Sequence, residues 1–389
     1  MSKITQKSGP QRQFWPQFDA LQMGSGWDEE DVKKPQILLD DVYGDSHPGS
    51  VHLDKLMDQA GYGVLEQGGY PARFHTTDIC DGCGQGHDGM NYILPSREAI
   101  CDLVEIHGSV SPWDGMILSS SCDKSVPAHL QAAARLNIPT IFIPGGSMRP
   151  GPNMTSSLVA GEISLRQKEP GGITPREVRD YKLTGCPSEG ACAFLGTAST
   201  MQCMAEALGM ALPGTALMPA TMRDILQGAR HAGRAILNLA ASSIRPSDIL
   251  TTKAFENSII VHSAIGGSTN ALLHLPSIAR ELGIILKPDL FDQINHRIPH
   301  IANLVPSGPF LTEVFWFAGG IPMVQKMLGN LLHLDAMTVT GKTLGDNLKD
   351  LQQENFFDRN LGYLNNYGIK REEVISPLNE TTEIGSVAI

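Results

Sequence analysis

The sequence predicts an α/β fold in which a parallel sheet is flanked by helices. From about residue 36 to 146, short apolar runs of strand length alternate with segments of helical length. Alternating strand and helix units of this size favour a parallel sheet, because parallel neighbours need a crossover that is usually a helix. The 389 residues, 41% of them hydrophobic, suffice for two or three domains and at least one large core.

The alternation can be followed element by element through this segment. The predicted strands are "QILLDDV" (36–42), "ARFHTTDI" (72–79), "GMILSSS" (115–121) and "PTIFIPGG" (139–146). The predicted helices between them are "VHLDKLMDQAGYGVLEQGG" (51–69), "SREAICDLVEIHG" (96–108) and "PAHLQAAARLN" (127–137). Ser96 is the expected N-cap of the second helix and Gly108 its expected end, while Pro127 opens the third.

The rest of the chain is predicted to be mostly helical. Residues 151–185 are typical of a polar surface connection with a helix or two, and the small-residue loop in "CPSEGACAFLGTASTMQCMAEALGMALPG" leads into a helix. Further predicted helices are "RDILQGARHAGRAILNLAAS" (223–242), "ALLHLPSIARELGI" (271–284) and "GIPMVQKMLGNLL" (320–332). Neither an internal repeat nor a low-complexity tract interrupts this pattern.

Charge and hydropathy argue against several classes of partner. The net charge of −11 disfavours nucleic acid or an anionic membrane as the main partner, since either would favour a basic face. The start "MSKITQKSGPQRQFWPQF" lacks an apolar signal-peptide core, and no apolar stretch approaches the ~20 residues of a spanning helix. We therefore expect a cytoplasmic protein without a membrane or nucleic-acid partner.

Cysteine usage points away from a disulfide framework. The chain has seven cysteines, an odd number, and nothing else marks it as secreted, so metal ligation, catalysis or burial is expected instead. Cys101 and Cys203 fall inside amphipathic helices and are predicted to be core residues. The others are Cys80, Cys83, Cys122, Cys186 and Cys192.

Three polar clusters follow predicted strands directly. They are "GDSHPGSVH" (44–52), "DICDGCGQGHDGM" (78–90) and "SSSCDKS" (119–125). Ligands of parallel sheets gather outside the carboxyl ends of the strands. The sequence thus predicts that thiols, carboxylates and imidazoles meet at one rim.

Two of these clusters combine soft and hard ligands. Cys122, Asp123 and Lys124 place a thiol, a carboxylate and an amine in a row, although a buried cysteine beside a solvated loop is the alternative. Cys80-x-x-Cys83 by itself suggests zinc or a redox pair. No matching second pair and no compact redox domain accompany it, whereas the adjacent Asp81 suits a hard cation.

Two further loops lead into helices. Cys192 lies among glycines and alanines, where backbone can approach a cofactor closely. Ser268, Thr269 and Asn270 follow two glycines and open a helix, whose free N–H groups could bind a carboxylate or phosphate, with an ordinary N-cap as the alternative. A nucleotide-binding protein is disfavoured, because no phosphate-loop motif is present.

Longer motifs resemble those of the iron–sulfur dehydratase family, which includes dihydroxy-acid, phosphogluconate and sugar-acid dehydratases. The resemblance runs from about residue 36 to the end. Its motifs are "GHDGMNYILPSRE", "SCDKSVPAHLQAAARLNIPTIFIPGG", "CPSEGACAFLGTASTMQCMAEALGMALPG", "KAFENSIIVHSAIGGSTNALLHLP" and "FAGGIP". "GDSHPGSVHLDKL" and "TDICDGCGQGHDG" look closest to the xylonate dehydratase branch.

The resemblance implies a ligand set for an iron–sulfur cluster, either 2Fe-2S or 4Fe-4S. Cys122 and Cys192 match two of the family's cluster cysteines. The first cluster cysteine is absent, since its position is Gly49, and Cys80 stands where many members have serine. We expect Cys80 to replace the missing thiol.

The resemblance also implies a Mg²⁺ site next to the cluster. Asp81, Asp123 and Lys124 match its ligands, and the lysine, often carbamylated in the family, counts among the catalytic residues. Ser268, Thr269 and Asn270 are candidate substrate-binding residues.

From the resemblance we predict a hydro-lyase that converts a sugar acid, such as the pentonate D-xylonate, to a 2-keto-3-deoxy acid. A dihydroxy-acid dehydratase of branched-chain amino-acid synthesis is the alternative. An alternative of another class is a non-catalytic, truncated fragment, because the family's serine base belongs to a C-terminal β domain that this chain lacks.

The predicted organisation has three regions. Residues 1–35 form an N-terminal extension, 36–380 an α/β domain that binds cluster and metal and is helix-rich after about 200, and 381–389 the start of the β domain. A homo-oligomer, dimer or tetramer, is expected from the family.

Overall fold

A computed structural model describes residues 9–378 of the chain. The first residues of the predicted extension and the segment 381–389, predicted to start a β domain, lie outside these residues. Among the described residues, no helix combines the length and the apolar character that crossing a membrane requires.

A four-stranded parallel sheet organises the N-terminal part and confirms the predicted fold class. Its strands are β1 (Gln36–Asp41), β2 (Tyr70–His75), β3 (Gly115–Ser120) and β4 (Thr140–Pro144). They lie side by side in the order β2-β1-β3-β4. In the register, Asp41 at the end of β1 pairs with His75 of β2 and Ser119 of β3, so the strands end at one edge.

Burial explains the apolar residues at the centre of three of the strands. Every residue of β1, β3 and β4 is buried, whereas β2 at the edge of the sheet is mostly half-exposed. A parallel sheet covered by helices on both faces has no polar face, so its inner strands are continuous hydrophobic runs.

Two carboxylates interrupt the apolar run at the end of β1, and both are paired. Asp41 lies 2.6 Å from His75 Nδ1, and Asp40 lies 2.6 Å from His107 Nδ1. Thr76, just after β2, donates its hydroxyl to Asp40 at 2.9 Å. These contacts satisfy both oxygens of Asp40 and one oxygen of Asp41, and they fix the start of the loop that follows β2. The other oxygen of Asp41 has no hydrogen-bond partner among the described residues and lies 3.8 Å from the Arg73 guanidinium.

Helices account for most of the remaining chain. Those of the first part are α1 (Gly9–Phe14), α2 (Gln17–Gly24), α3 (Leu53–Glu66), α4 (Asp81–Gly84), α5 (Ile93–Val110), α6 (Ser125–Leu136), α7 (Ala160–Arg166), α8 (Pro175–Thr184), α9 (Thr197–Ala207) and α10 (Arg223–Ala241). Those of the second part are α11 (Pro246–Ile249), α12 (Thr252–Ile265), α13 (Ala271–Glu281), α14 (Pro288–Asn295), α15 (Thr312–Phe317), α16 (Gly320–Leu328), α17 (Leu344–Gln353), α18 (Phe356–Arg359), α19 (Leu361–Asn366) and α20 (Arg371–Val374).

The close contact between α3 and α10 depends on glycine. Both helices pack on the sheet and on each other. A Cβ atom added at Gly63 would lie 2.2 Å from the carbonyl oxygen of Arg230, and one at Gly233 would lie 2.0 Å from that of Ala60. The two backbones can approach this closely only because neither position carries a side chain.

One hydrophobic core joins the sheet to the later helices. It runs from Ile37 and Phe142 in the strands to Phe255 in α12 and Trp316 in α15, all at most 1% exposed. Cys101 and Cys203 are buried in this core, as expected of cysteines inside amphipathic helices.

Some predicted element bounds differ from those observed. The helix predicted for 96–108 is α5, which begins at Ile93 and continues through Gly108 to Val110. Ser96 is not its N-cap, because its hydroxyl donates to the carbonyl of Ile93 within the first turn. Pro95 is the third residue of the helix, where a missing N–H breaks no intrahelical hydrogen bond.

Candidate metal centre

The loops that leave the carboxyl ends of the strands are bonded to one another. The N–H of Gly190 donates to Pro48 O at 2.8 Å, and the N–H of Met148 donates to Ala191 O at 2.8 Å. The hydroxyl of Ser121 donates to Gly49 O. The segments after β1, β3 and β4 and the loop before α9 therefore form one rim, which includes two of the three predicted clusters (44–52 and 119–125).

A buried glutamine that the sequence analysis did not single out holds two of these loops. Gln202, on α9, accepts from Gly146 N at 2.9 Å and donates to Ser121 O at 3.1 Å and Gly146 O at 3.2 Å. It is fully buried. The signal in the sequence is a lone amide among small and apolar residues in "TASTMQCMAEA".

Two thiols and an imidazole meet at this rim. Ligand atoms of His47, Cys80 and Cys122 all lie within 4.8 Å of one another. Cys122 and His47 are each 5% exposed, whereas Cys80 is half-buried at the start of α4. His47 was not among the predicted site residues, although its cluster "GDSHPGSVH" was expected to reach this edge.

The two thiols have different proton affinities. The pKa of Cys80 is lowered to about 6, mainly by its hydrogen bond with Cys122. Burial raises this pKa, whereas hydrogen bonds from the N–H groups of Cys83 and Gly82 lower it. The same contact, together with burial, raises the pKa of Cys122 well above its ordinary value. The pair therefore holds one thiolate readily, and thiolate is the form that binds metals.

Gly49 lies beside the side chains of His47 and Cys122. A Cβ atom added there would lie 3.2 Å from His47 Nδ1 and 3.3 Å from Cys122 Sγ. Gly49 has no positive φ, so a side chain is compatible with its backbone conformation. A cysteine at this position would thus place its thiol beside that of Cys122.

Cys192 does not belong to this close group. Its loop is held against α9, where the hydroxyl of Ser199 donates to Cys192 O at 3.0 Å. Burial raises the pKa of the Cys192 thiol to about 12, with the negative charges of Asp123 and Cys80 adding to the rise. The Cys192 thiol therefore lies close enough to Asp123 and Cys80 for their charges to affect it. The thiols of a cluster are distributed over two or more irons and need not meet at one point.

Oxygen ligands lie next to the thiols. Lys124 Nζ donates to Asp81 Oδ2 at 2.7 Å, and the other oxygen of Asp81 is buried without a hydrogen-bond partner in the described structure. Burial and the nearby carboxylate of Asp81 together raise the pKa of Asp123 to about 7, against the opposing effect of Lys124. Two crowded carboxylates and an orphan oxygen suit a hard divalent cation.

Asp78 is a further buried acid that the sequence analysis passed over. It accepts from the hydroxyl of Ser125 at 2.8 Å, and its Oδ2 lies 3.9 Å from His47 Nε2. Burial raises the pKa of Asp78 to about 8. Its place in "TTDICDGC", directly after a strand, was the available signal.

Ser268 and Asn270 contact the start of α9. Asn270 Nδ2 donates to Thr197 Oγ1 at 2.7 Å, and the hydroxyls of Thr197 and Ser268 lie 3.0 Å apart. The side chain of Asn270 makes no capping hydrogen bond to α13, whereas the hydroxyl of Ser268 accepts from the N–H of Asn270 at 3.3 Å. Substrate binding and helix capping by this segment both stay predictions. The side chain of Thr269 is exposed.

The donors at the rim fit both an iron–sulfur centre and a hard cation. Soft thiolates favour iron, and carboxylate oxygens favour Mg²⁺. Asp81 and Asp123 keep partial exposure, so a solute can reach them, whereas Cys122 and Lys124 are buried.

Comparison with known proteins gives a consistent result. A family model described as "Dihydroxy-acid/6-phosphogluconate dehydratase N-terminal" matches residues 34–347. A dihydroxy-acid dehydratase of Halothermothrix orenii is 43% identical over 83% of this chain and 59% of its own length. Those of Caldicellulosiruptor saccharolyticus and Methanosarcina acetivorans are 41% and 40% identical, over 90% and 89% of this chain and 63% and 62% of their own lengths.

The prediction of a sugar-acid dehydratase close to the xylonate branch is wrong. The similar curated proteins are named dihydroxy-acid dehydratase, which was the stated alternative. The prediction depended on Gly49 and its neighbours, and these residues lie beside the thiols.

Proposed function

The chain belongs to the dihydroxy-acid/6-phosphogluconate dehydratase family, and from this membership we propose that it takes part in dehydrating a 2,3-dihydroxy acid to a 2-keto acid. One observation carries the proposal: the Cys80–Cys122 thiol pair and the Asp81–Lys124 pair occupy the same rim of the sheet. The chain spans about three fifths of the length of the curated relatives that it matches. The activity is therefore proposed for the whole protein.

The thiols are proposed to hold an iron–sulfur cluster. Cys80 and Cys122 supply two ligands, and Cys192 supplies a third from the loop before α9. A cluster bound by three thiolates offers a Lewis-acidic iron with an open position, which suits the expulsion of a hydroxyl group. Cys80 thus takes the place of the thiol that Gly49 cannot provide.

The oxygen ligands are proposed to hold Mg²⁺ for the substrate carboxylate. Asp81 and Asp123 would be two ligands. The third would be Lys124, after its ammonium loses one proton and the resulting amine adds CO₂ with loss of a second proton, which gives a carbamate with an anionic oxygen donor. A hard cation here supplies positive charge where the enolate develops as the weakly acidic C2 proton leaves.

Other residues of the chain are proposed to orient the substrate. The partly exposed amide and hydroxyl of Asn270 and Ser268, fixed against Thr197, are available to bind substrate hydroxyls. The hydrogen bond from Ser125 to Asp78 connects the start of α6 to the loop that follows β2. The base that removes the C2 proton is expected in a C-terminal β domain.

Iron and acid-labile sulfide content, with the visible spectrum, of the chain purified without oxygen tests the cluster. We expect stoichiometric iron and sulfide. A folded, colourless and iron-free protein would contradict the proposed site. Release of a 2-keto acid from a branched 2,3-dihydroxy acid, with a pentonate as the control, tests the substrate class in the whole protein.

A further inference from the structure

His47 is a buried imidazole to which the proposed reaction gives no role. It lies in the loop after β1 and is 5% exposed. One of its nitrogens lies within 4.8 Å of both the Cys80 and Cys122 sulfurs. A buried imidazole this close to two thiols is a potential metal ligand.

The two ring nitrogens have different surroundings. Nε2 lies 3.2 Å from the hydroxyl of Ser50 and 3.9 Å from Asp78 Oδ2, so it has acceptors for a proton. Nδ1 is buried and has no hydrogen-bond partner within residues 9–378. If Nε2 carries the proton, Nδ1 presents a lone pair. Metal-binding histidines use this arrangement, in which the second nitrogen donates to a carboxylate or another acceptor.

Gly49 shows where Nδ1 is directed. Its hypothetical Cβ would touch both Nδ1 and Cys122 Sγ, at 3.2 and 3.3 Å, so the two donors border the same small space. Glycine leaves that space free of side-chain atoms. An orphan nitrogen there is costly unless a partner enters the space.

We propose that His47 Nδ1 binds directly to the iron centre held by Cys80 and Cys122, which gives the centre mixed thiolate and imidazole coordination. The inference rests on the proposed cluster site. It differs from the three-cysteine set in adding a neutral nitrogen ligand, which would occupy the otherwise open iron position while no substrate is bound. Because a neutral imidazole binds iron less strongly than a thiolate, His47 would be the ligand that a substrate hydroxyl displaces.

Mixed coordination has a measurable consequence for the centre. Replacing thiolate by histidine on an iron–sulfur cluster makes the cluster less negative and raises its reduction potential. His47→Cys should therefore lower the reduction potential of the centre while retaining its iron. Ser50→Ala should retain His47 as a ligand, because Asp78 remains as an acceptor for the proton on His47 Nε2.

The test uses the full chain, labelled with ¹⁵N-histidine, loaded with iron and sulfide without oxygen and then reduced. Pulsed electron paramagnetic resonance should detect a strongly coupled histidine nitrogen in the wild type. The coupling should disappear in His47→Cys and persist in His87→Ala, which alters an exposed histidine of the neighbouring loop.

The outcomes separate the two proposals. An iron-loaded wild type without nitrogen coupling, or a His47→Cys variant that keeps the coupling, would overturn the ligation by His47 and leave the cluster in place. A wild type that binds no iron would overturn both. Circular dichroism of each variant confirms its fold, and the comparison of ¹⁴N with ¹⁵N signals in the wild type needs no variant.

Discussion

At the scale of single residues, the proposed ligand set depends on Cys80. Its thiol hydrogen bonds with Cys122 and has the lower pKa of the pair, about 6, so it is the better ligand near neutral pH. Cys83, three residues further on, is exposed and lies outside the group of His47, Cys80 and Cys122. The two cysteines of one C-x-x-C motif therefore have different expected roles.

Substituting each of these cysteines tests that difference. Cys80→Ser should lose most of the bound iron, because serine supplies no soft ligand, whereas Cys83→Ser should retain it. Iron and sulfide analysis of the two variants, purified in parallel without oxygen, measures the effect. Equal iron retention in both variants would exclude Cys80 as a ligand.

Gly49→Cys in the Cys80→Ser background tests the reciprocal exchange. The new Cβ would lie 3.3 Å from Cys122 Sγ, among side-chain atoms that can shift. We expect the double variant to regain at least about half of the iron lost by Cys80→Ser, as measured by iron content per folded chain.

Gly44→Cys in the same background is the matched control. A Cβ at Gly44 meets only the hydroxyl of Ser50, at 4.0 Å, so this thiol starts from a position away from Cys122. Similar recovery of iron from both double variants would show that position 49 has no special access to the centre.

At the scale of elements, parallel strands and their crossover helices bring the proposed ligands together. The segments that carry them follow β1, β2 and β3, and these neighbours end at the same edge of the sheet. The α3–α10 pair supports the sheet from one side. Because these helices touch at Gly63 and Gly233, their spacing cannot increase locally without disturbing the strands.

Gly233→Ala should therefore destabilise the protein by about 1–3 kcal/mol, the usual cost of overpacking. The added methyl would overlap the backbone of Ala60. Gly228→Ala, on the same helix, is the control, since its Cβ would meet only Thr215 at 3.6 Å. It should be neutral or stabilise by up to about 1 kcal/mol, through helix propensity. Urea unfolding of both variants measures the difference, and equal midpoints would refute the role of the close contact.

At the scale of the whole molecule, buried histidines link stability to pH. His129 on α6 is fully buried, packs edge-on to Phe142, and has no hydrogen-bond partner for either ring nitrogen in the described structure. Burial lowers its pKa to about 4. Below pH about 6.5 the unfolded chain binds a proton at this residue that the folded chain does not, so stability falls as pH decreases towards 4.

His129→Leu should remove this contribution of His129 to the pH dependence of stability. At pH 5 the variant should be more stable than the wild type by about 2 kcal/mol, since each pKa unit corresponds to about 1.4 kcal/mol. At pH 8 the two should differ by less than about 1.5 kcal/mol, because no hydrogen bond is lost. Denaturant unfolding at both pH values checks this, and identical pH dependence of the two proteins would contradict it.

The oligomeric state, dimer or tetramer, stays a prediction, as do the three predicted regions of the chain. Light scattering of the purified chain measures the oligomeric state directly. A monomer would contradict the expectation taken from the family.

The sequence by itself determined the parallel α/β class, the order of strands and helices in the first part, and the family. These follow from local periodicity and from motifs that are contiguous in the chain, such as "SCDKSVPAHL". The start of α5 was misplaced, since Ser96 resembles a cap but lies inside the first turn. Only the tertiary structure brought His47, Cys80 and Cys122 together and directed Gly49, Gln202 and Asp78 to the same rim. Contacts between residues that are distant in sequence depend on strand order, register and loop direction, which local patterns do not encode.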